Sequence, residues 1–283
     1  AGLIDNDKFL QIAAASAPSA GHCNTMGTAS TMNALAEALG MSLTGCSAIP
    51  APYRERGQIA YETGRRIVGM AHDDVRPSSI LTREAFLDAI IVNAAIGGST
   101  NAQPHLMAMA RHAGVELHSS DWMEHGYDVP LLLNMQPAGK YLGERFHRAG
   151  GVPAVMWELQ QAGLLHADRL TVTGQTMAAN LAGRESADRE MIRPFAAPLK
   201  EKAGFMALQG NLFDFAIMKT SVISPAFRER YLSSPGSEGV FEARAIEMAS
   251  EHHALLASLP ERGQAEDLVA AAVGEEGPTE SGE

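Results

Sequence analysis

Cysteine is scarce in this sequence, which contains two among 283 residues, Cys23 and Cys46. Two cysteines cannot build a disulfide framework, so the sequence predicts a protein of the reducing cytoplasm. Long apolar runs are lacking as well: none approaches the roughly 18 uncharged residues that a membrane span needs, and we expect no membrane partner. The formal net charge is −11 and no basic stripe is present, which argues against nucleic acid as a partner.

Helical periodicity dominates the first 165 residues. Apolar positions recur as on one face of a helix in the segment that Gly40 closes. A second helix is predicted over residues 58–71, and a third begins after Thr82 as its N-cap. The segment "GGVPAVMWELQQAGLL" predicts a helix that ends at Gly163, whereas "YDVPLLLNMQP" is typical of a buried parallel strand. The predicted fold class is therefore helix-rich α/β.

The pattern changes after residue 165. The runs "LTVTGQT", "GFMALQGN", "FAIMKTSVI" and "GVFEARAI" are short, β-prone and separated by Gly, Pro and Asn. They predict part of a mainly β, barrel-like domain over residues 166–246. Residues 247–283 carry nine acidic residues and one basic residue and end in "EEGPTESGE", which is typical of a partly disordered tail.

The stretch "GHCNTMGTASTMNALAEALG" places Cys23 directly ahead of the first periodic helix. Two interpretations stay open on the residues alone. A lone cysteine is more often a small buried hydrophobic residue. A thiol in front of a helix also lies at the positive end of the helix dipole, which favours the thiolate that binds iron or zinc. No CxxC or CxxH accompanies it, whereas the adjacent His22 is a candidate to face the same site.

The segment "GGSTNA", residues 97–102, is a second candidate site. Backbone N–H groups of a Gly-rich turn at a helix start bind carboxylate or phosphate, which makes Ser99, Thr100 and Asn101 candidate substrate-binding residues. The segment lacks the lysine of a P-loop and the full GxGxxG spacing. A plain helix cap formed by Ser99 or Thr100 is the alternative.

Several long motifs follow one another in the order found in one family. The stretch "GHCNTMGTASTMNALAEALGMSLTGCSAIPAPYRERGQ" is followed by "GGSTNAQPH", "NMQPAGKYLGERFHRAGG", "LTVTGQTMAANLAGRE", "GNLFDFAIMKTSVI" and "GVFEARAI". Over residues 10–246 the chain resembles the dihydroxy-acid and sugar-acid dehydratase family. The details of "AIPAPYRERGQ" and "QPAGKYLGERFHRAGG" resemble the branch that acts on sugar acids, especially pentonates.

The resemblance implies an Fe–S-dependent hydro-lyase that dehydrates a 2,3-dihydroxy acid, such as xylonate, to a 2-keto-3-deoxy acid. Its implied cofactors are Mg²⁺ and an Fe–S cluster, either 2Fe–2S or 4Fe–4S, held by three cysteines. Cys23 matches the third of these cluster ligands. A branched-chain dihydroxy acid is the alternative substrate, and homo-oligomers are usual in the family. The catalytic base matches no residue of this chain.

The resemblance also implies parts of the family pattern that this sequence lacks. Two further cluster cysteines, acidic metal ligands and a modified lysine would precede it, and a serine base would lie beyond residue 246, where the resemblance ends. Residues 1–165 are then the C-terminal portion of the cluster-binding domain, and the chain alone is expected to be inactive, with a non-catalytic remnant as the alternative of another class. We expect Cys23 to face an open cavity without a disulfide to Cys46, and the turn Gly97–Asn101 to form another part of the site.

Overall fold

Helices dominate the part of the chain that the computed structural model describes, which comprises residues 4–16, 19–208 and 215–223. Short 3-10 helices at Pro77–Ser79 and Thr220–Val222 and a π-helical turn at Trp122–Gly126 lie between the regular elements. The α-helices are α1 (Asn6–Ser16), α2 (Thr28–Ala38), α3 (Arg54–His72), α4 (Arg83–Ala95), α5 (Ala102–His112), α6 (Gly143–Arg148), α7 (Gly151–Gln161) and α8 (Met177–Leu181). The predicted helices before Gly40, over residues 58–71 and before Gly163 are thereby confirmed.

Helix α4 forms the centre of the core. Its residues from Ala85 to Ala95 are all buried, because apolar side chains surround this helix instead of following one face. Helices α2, α5 and α7 pack around it. Thr82 is its N-cap as predicted, and the Thr82 hydroxyl accepts a hydrogen bond from the Ala85 amide at 3.4 Å.

Gly40 ends α2 in a conformation that other residues rarely adopt. Its φ is +82°, and a Cβ at this position would lie 3.1 Å from Cγ2 of Thr171. The Gly40 carbonyl accepts a hydrogen bond from the Val172 amide at 2.8 Å. The glycine thus permits the turn and the close approach of the 170–176 segment to the end of α2.

The segment "YDVPLLLNMQP" is buried as predicted, but the prediction of a regular strand is wrong. Leu131, Leu132 and Leu133 are fully buried, yet they make only isolated bridges. The Leu132 amide donates to Ala95 at the end of α4, while its carbonyl accepts from Arg193. Because the hydrogen-bond partners come from separate segments, no continuous ladder forms.

The β structure within the described residues is small. Strands β1 (Phe205–Leu208) and β2 (Ala216–Lys219) pair antiparallel, with Phe205 opposite Lys219 and Leu208 opposite Ala216. The run "LTVTGQT" contributes an isolated bridge between Leu170 and Thr176. The run "GVFEARAI" and the acidic tail over residues 247–283 lie outside the described residues, so the barrel-like domain stays a prediction.

A buried ionic network ties the segment after residue 165 to the core. Asp88 on α4 is fully buried and accepts hydrogen bonds from Arg169 Nε at 2.7 Å and from the His166 ring at 2.8 Å. The described residues before and after residue 165 belong to one compact unit. The domain division predicted at this point is therefore a proposal about a larger protein. No helix within the described ranges is long and apolar enough to cross a membrane.

Candidate functional site

Cys23 lies in the loop that leads into α2. The helix begins at Thr28 with Gly27 as its N-cap, so Cys23 lies shortly before the N-terminus of the helix. The Cys23 side chain is exposed, the Thr25 hydroxyl donates to its sulfur at 3.7 Å, and the His22 ring donates to its carbonyl at 2.8 Å. The interpretation of Cys23 as a buried hydrophobic residue is therefore wrong.

The Cys23 loop forms one wall of a cavity of about 710 Å³. Cys23 and Glu144 on its walls are exposed, which leaves the cavity open to solvent. This agrees with the expectation that the sulfur faces an open cavity. Cys46 and Cys23 are both free thiols, so the predicted absence of a disulfide is confirmed. The polar lining includes His22, Cys23, Asn24, Asn33, Tyr53 and Glu144.

Glu37 on α2 holds the loop that leads into the cavity lining at Ser47. Its carboxyl group accepts hydrogen bonds from the Gly45 amide, from the Ser47 amide at 3.0 Å and from the Ser47 hydroxyl. Burial raises the pKa of Glu37, although these hydrogen bonds act in the opposite direction. Glu37 therefore has a structural role, since its oxygens are occupied by the protein itself.

Arg56 and Cys46 complete this loop. The Arg56 guanidinium donates to the Cys46 carbonyl at 3.0 Å and to the Ile49 carbonyl, and it lies 3.6 Å from the Cys46 sulfur. Burial raises the pKa of the Cys46 thiol, and the neighbouring Arg56 only partly offsets this effect. Cys46 is thus a half-buried structural thiol, as its isolated position in the sequence indicated.

Glu144, at the start of α6, is an exposed residue of the cavity lining and lies on its rim. Its Oε1 atom accepts hydrogen bonds from the Tyr53 hydroxyl at 2.5 Å and from Arg148 Nη2 at 2.8 Å. These two hydrogen bonds lower the pKa of Glu144, and the one from Tyr53 has the larger effect. Asn24 joins this rim to the Cys23 loop, because it accepts hydrogen bonds from the Gly143 amide at 3.0 Å and the Glu144 amide at 3.2 Å.

The Gly97–Asn101 turn packs against the first turn of α2. Ser99 Oγ lies 3.1 Å from Thr28 Oγ1, and the Ser99 amide donates to the Thr31 hydroxyl at 3.0 Å. Thr28 and Thr31 lie on a different face of α2 from Asn33, which lines the cavity. The turn is therefore close to the same helix terminus but outside the lining of the 710 Å³ cavity.

The three candidates in this turn have different environments. Ser99 Oγ accepts from the Asn101 amide at 3.1 Å, and the Asn101 side chain donates to Thr28 at 3.0 Å. Thr100 is partly buried. The N-cap of α5 is Asn101 and makes no side-chain cap hydrogen bond, so the alternative of a helix cap formed by Ser99 or Thr100 is wrong. Substrate binding by Ser99, Thr100 and Asn101 stays a prediction.

One set of possible metal ligands is found among the described residues. Asp121, Glu124 and His125 bring their ligand atoms within 4.8 Å of one another, but Asp121 already binds Arg83 Nη2 at 2.8 Å. This group lies apart from the cavity lining. At the cavity itself, the exposed Cys23 sulfur is a suitable donor for iron, and it is one thiolate of the three that the resemblance implies.

The rim residues Tyr53, Glu144 and Arg148 received no role from the sequence. Tyr53 and Glu144 are separated by 91 positions, and no spacing rule brings them together. Their motifs, "PAPYRERGQ" and "GKYLGERFHR", were nevertheless among those that carry the family resemblance. Their occurrence in these motifs was the signal in the sequence that could have identified the rim residues.

Comparison with known proteins agrees with the motifs. The family model described as "Dihydroxy-acid/6-phosphogluconate dehydratase N-terminal" matches residues 1–180. A protein of Caulobacter vibrioides named D-xylonate dehydratase is 71% identical over 246 residues, which is 87% of this chain and 41% of the relative.

Two further relatives are less similar. A protein of Rhizobium leguminosarum bv. trifolii named L-arabinonate dehydratase is 47% identical over 80% of this chain and 39% of its own length. A protein of Caldanaerobacter subterraneus subsp. tengcongensis named dihydroxy-acid dehydratase is 42% identical over 87% of this chain and 44% of its own length. The chain thus spans about two fifths of the length of these curated relatives.

Proposed function

Because this chain belongs to the dihydroxy-acid/6-phosphogluconate dehydratase family, we propose that it forms part of an Fe–S-dependent hydro-lyase for sugar acids. The proposed reaction converts a 2,3-dihydroxy acid, such as xylonate, into a 2-keto-3-deoxy acid with loss of water. The observation that carries the proposal is the exposed Cys23 sulfur on the wall of the 710 Å³ cavity. The reducing cytoplasm and a homo-oligomeric complete protein belong to the same proposal.

Cys23 is the residue of this chain that would hold the cluster. When bound, an Fe–S cluster with an open iron position supplies a Lewis acid for the departing C3 hydroxyl. The walls formed by the Cys23 loop and α6 would orient the acid and restrict water around it. Ser99, Thr100 and Asn101 are the proposed contacts from this chain with the carboxylate end of the substrate. Bound Mg²⁺ would supply charge stabilisation at that end.

The identities of the relatives favour a sugar acid over a branched-chain acid. The relatives named for xylonate and arabinonate are 71% and 47% identical, whereas the relative named dihydroxy-acid dehydratase is 42% identical. A branched-chain dihydroxy acid is accordingly the second candidate substrate. A non-catalytic remnant is the alternative of another class, and it is favoured by the single exposed thiol among the described residues.

A chimaeric enzyme would test the proposal. The matched region of the Caulobacter relative would be replaced by the 246 matched residues of this chain, and the chimaera would be reconstituted anaerobically with iron and sulfide. We expect cluster absorption and formation of the 2-keto acid from xylonate in excess of that from 2,3-dihydroxyisovalerate. Replacement of Cys23 by Ser is expected to abolish the cluster absorption, whereas Cys46→Ser, the matched control, retains it.

Other results of the chimaera experiment would contradict parts of the proposal. Preference for 2,3-dihydroxyisovalerate would replace the sugar-acid assignment by the branched-chain assignment. Retention of the cluster in the Cys23→Ser chimaera would remove Cys23 as a ligand. The unextended chain, reconstituted in the same way, tests the remnant hypothesis directly, because clear xylonate turnover by it would eliminate that hypothesis.

A further inference from the structure

We propose that Glu144 is a specificity-determining residue that accepts a hydrogen bond from a hydroxyl group on the substrate's carbon chain, so that the cavity selects polyhydroxylated acids over branched aliphatic ones. This inference rests on the proposed function, because it assigns the substrate class of the same cavity. It adds a residue for which the family resemblance supplied no role.

The first argument is position. Glu144 and Cys23 both line the cavity, and the residue after Cys23, Asn24, is joined directly to the start of α6. The Asn24 side chain accepts from the Glu144 amide at 3.2 Å, and the Asn24 carbonyl accepts from the Gly143 amide at 3.0 Å. A substrate whose reacting carbons lie near the Cys23 loop would therefore place the rest of its chain towards Glu144.

The second argument is the fixed orientation of the carboxylate. Tyr53 donates to Glu144 Oε1 at 2.5 Å, Arg148 donates to the same oxygen at 2.8 Å, and Arg148 also donates to the Tyr53 hydroxyl at 3.2 Å. Within the described residues, no donor reaches Glu144 Oε2 at hydrogen-bond distance. The side chain is 50% exposed, so this second oxygen is accessible to a ligand.

The third argument is the state of the acceptor. The hydrogen bonds from Tyr53 and Arg148 lower the pKa of Glu144, which keeps the group ionised at neutral pH. An ionised carboxylate only accepts hydrogen bonds, and a hydroxyl is the matching donor. A methyl branch offers no donor, and its approach would remove water from the carboxylate without replacement.

Two buried serine hydroxyls of the lining are engaged within the protein. Ser30 donates to the Thr25 carbonyl at 2.7 Å, and Ser47 donates to Glu37. Both serines therefore use their single proton within the protein. Glu144 lines the cavity with a carboxylate whose second oxygen stays available. For that reason we assign to Glu144 the discrimination between polyhydroxylated and branched aliphatic acids.

Ligand binding to the 283-residue chain itself would test the inference. Saturation-transfer NMR titrations would compare xylonate, glycerate and 2,3-dihydroxyisovalerate, which share the 2,3-dihydroxy acid unit but differ in the rest of the chain. For Glu144→Leu we expect about tenfold weaker binding of xylonate, because a hydrogen bond to a charged group is lost. Binding of glycerate and dihydroxyisovalerate is expected to be unchanged or, for the latter, stronger.

Two further variants separate recognition from structural damage. Glu62→Leu removes a glutamate of similar exposure, 52%, that also pairs with an arginine, and it is expected to bind all three acids as the parent chain does. Tyr53→Phe retains the Glu144 carboxylate but removes one of the donors that orient it, and we expect a smaller loss, confined to xylonate. Circular dichroism would verify that each variant is folded.

The outcomes distinguish this inference from the function on which it rests. Equal xylonate affinity in the Glu144→Leu variant and the parent chain would overturn the role of Glu144 while leaving the sugar-acid proposal intact. An equal loss of affinity for all three acids would also overturn it, since Glu144 would then not recognise the additional hydroxyl groups of xylonate. Failure of the parent chain to bind xylonate would overturn the role of Glu144 as a contact made by this chain, whereas the reconstituted chimaera tests the sugar-acid proposal separately.

Discussion

Two glutamates, Glu144 in the cavity lining and Glu37 behind the Ser47 segment of that lining, are in opposite environments. Glu37 is 4% exposed and accepts hydrogen bonds from the Gly45–Ser47 loop. Glu144, on the rim, is half exposed and is oriented by Tyr53 and Arg148. Burial raises the pKa of Glu37, whereas hydrogen bonds lower the pKa of Glu144.

The same residue type supports the fold at Glu37, and we propose that it binds a ligand at Glu144. Both oxygens of Glu37 are occupied by loop donors, so the group stabilises this loop and offers nothing to a ligand. Glu144 uses one oxygen for orientation and keeps the other accessible. Variants of the two glutamates and of their neighbours test this contrast.

Removal of the Glu37 carboxyl group is expected to have the largest effect on stability. Glu37→Ala leaves the amides of Gly45 and Ser47 without their acceptor and should lower the free energy of unfolding by about 2–4 kcal/mol. Urea denaturation followed by circular dichroism measures this change. Glu144→Ala, the matched variant on the rim, should leave it nearly unchanged, because surface substitutions have small effects. Similar losses in the two variants would contradict the comparison.

The two cysteines are expected to differ about tenfold or more in their rates of reaction with Ellman's reagent. Cys23 is exposed, whereas Cys46 is half-buried and burial raises the pKa of its thiol, which lowers the thiolate fraction. The release of thionitrobenzoate at pH 7 should therefore be biphasic in the folded chain. Cys23→Ser should remove the fast phase, and Cys46→Ser should remove the slow phase. A slow Cys23 would contradict the open cavity.

The pH dependence of stability should have opposite signs for the two glutamates. Because the folded pKa of Glu37 lies above its ordinary value of 4.5, its contribution is fully present below 4.5 and is lost as the pH rises through the folded value. The stability of the parent chain relative to Glu37→Gln should therefore fall as the pH rises above 4.5.

Glu144 should behave in the opposite way. Its folded pKa lies below 4.5, so its contribution is present above 4.5 and is lost as the pH falls through the folded value. The stability of the parent chain relative to Glu144→Gln should accordingly fall on acidification. Urea denaturation at several pH values between pH 3 and pH 7 measures both differences in the free energy of unfolding. If the two differences changed with pH in the same direction, the predicted contrast between Glu37 and Glu144 would be wrong.

Tyr53→Phe is expected to have the smallest effect on stability, within about 0.5 kcal/mol. The variant removes the first of the two hydrogen bonds that lower the pKa of Glu144. The pKa of Glu144 should therefore rise towards its ordinary value, which an NMR titration of the labelled carboxyl group would detect. An unchanged titration would show that Arg148 alone orients this carboxylate.

Local patterns were sufficient for the helices and insufficient for the extended segments. The N-cap Thr82 and the apolar run after it predicted α4, because helix formation depends on residues within one turn of each other. The segment 131–135 has the composition of a strand, and its burial was predicted correctly. Its hydrogen-bond partners, however, include Ala95 and Arg193, which are distant in the sequence. The local sequence pattern therefore cannot predict them.

The helices, the family and the position of Cys23 ahead of α2 could be predicted without a structure, because periodicity, capping and motif order are local properties of the chain. The three-dimensional fold was needed to show that Cys23 lines an open cavity and that Glu144 contacts Tyr53, 91 positions away in the sequence. It also shows that Glu37 is buried while Glu144 is exposed. The environment of a carboxyl group depends on the segments that fold around it, and the distance between those segments along the chain leaves no local pattern.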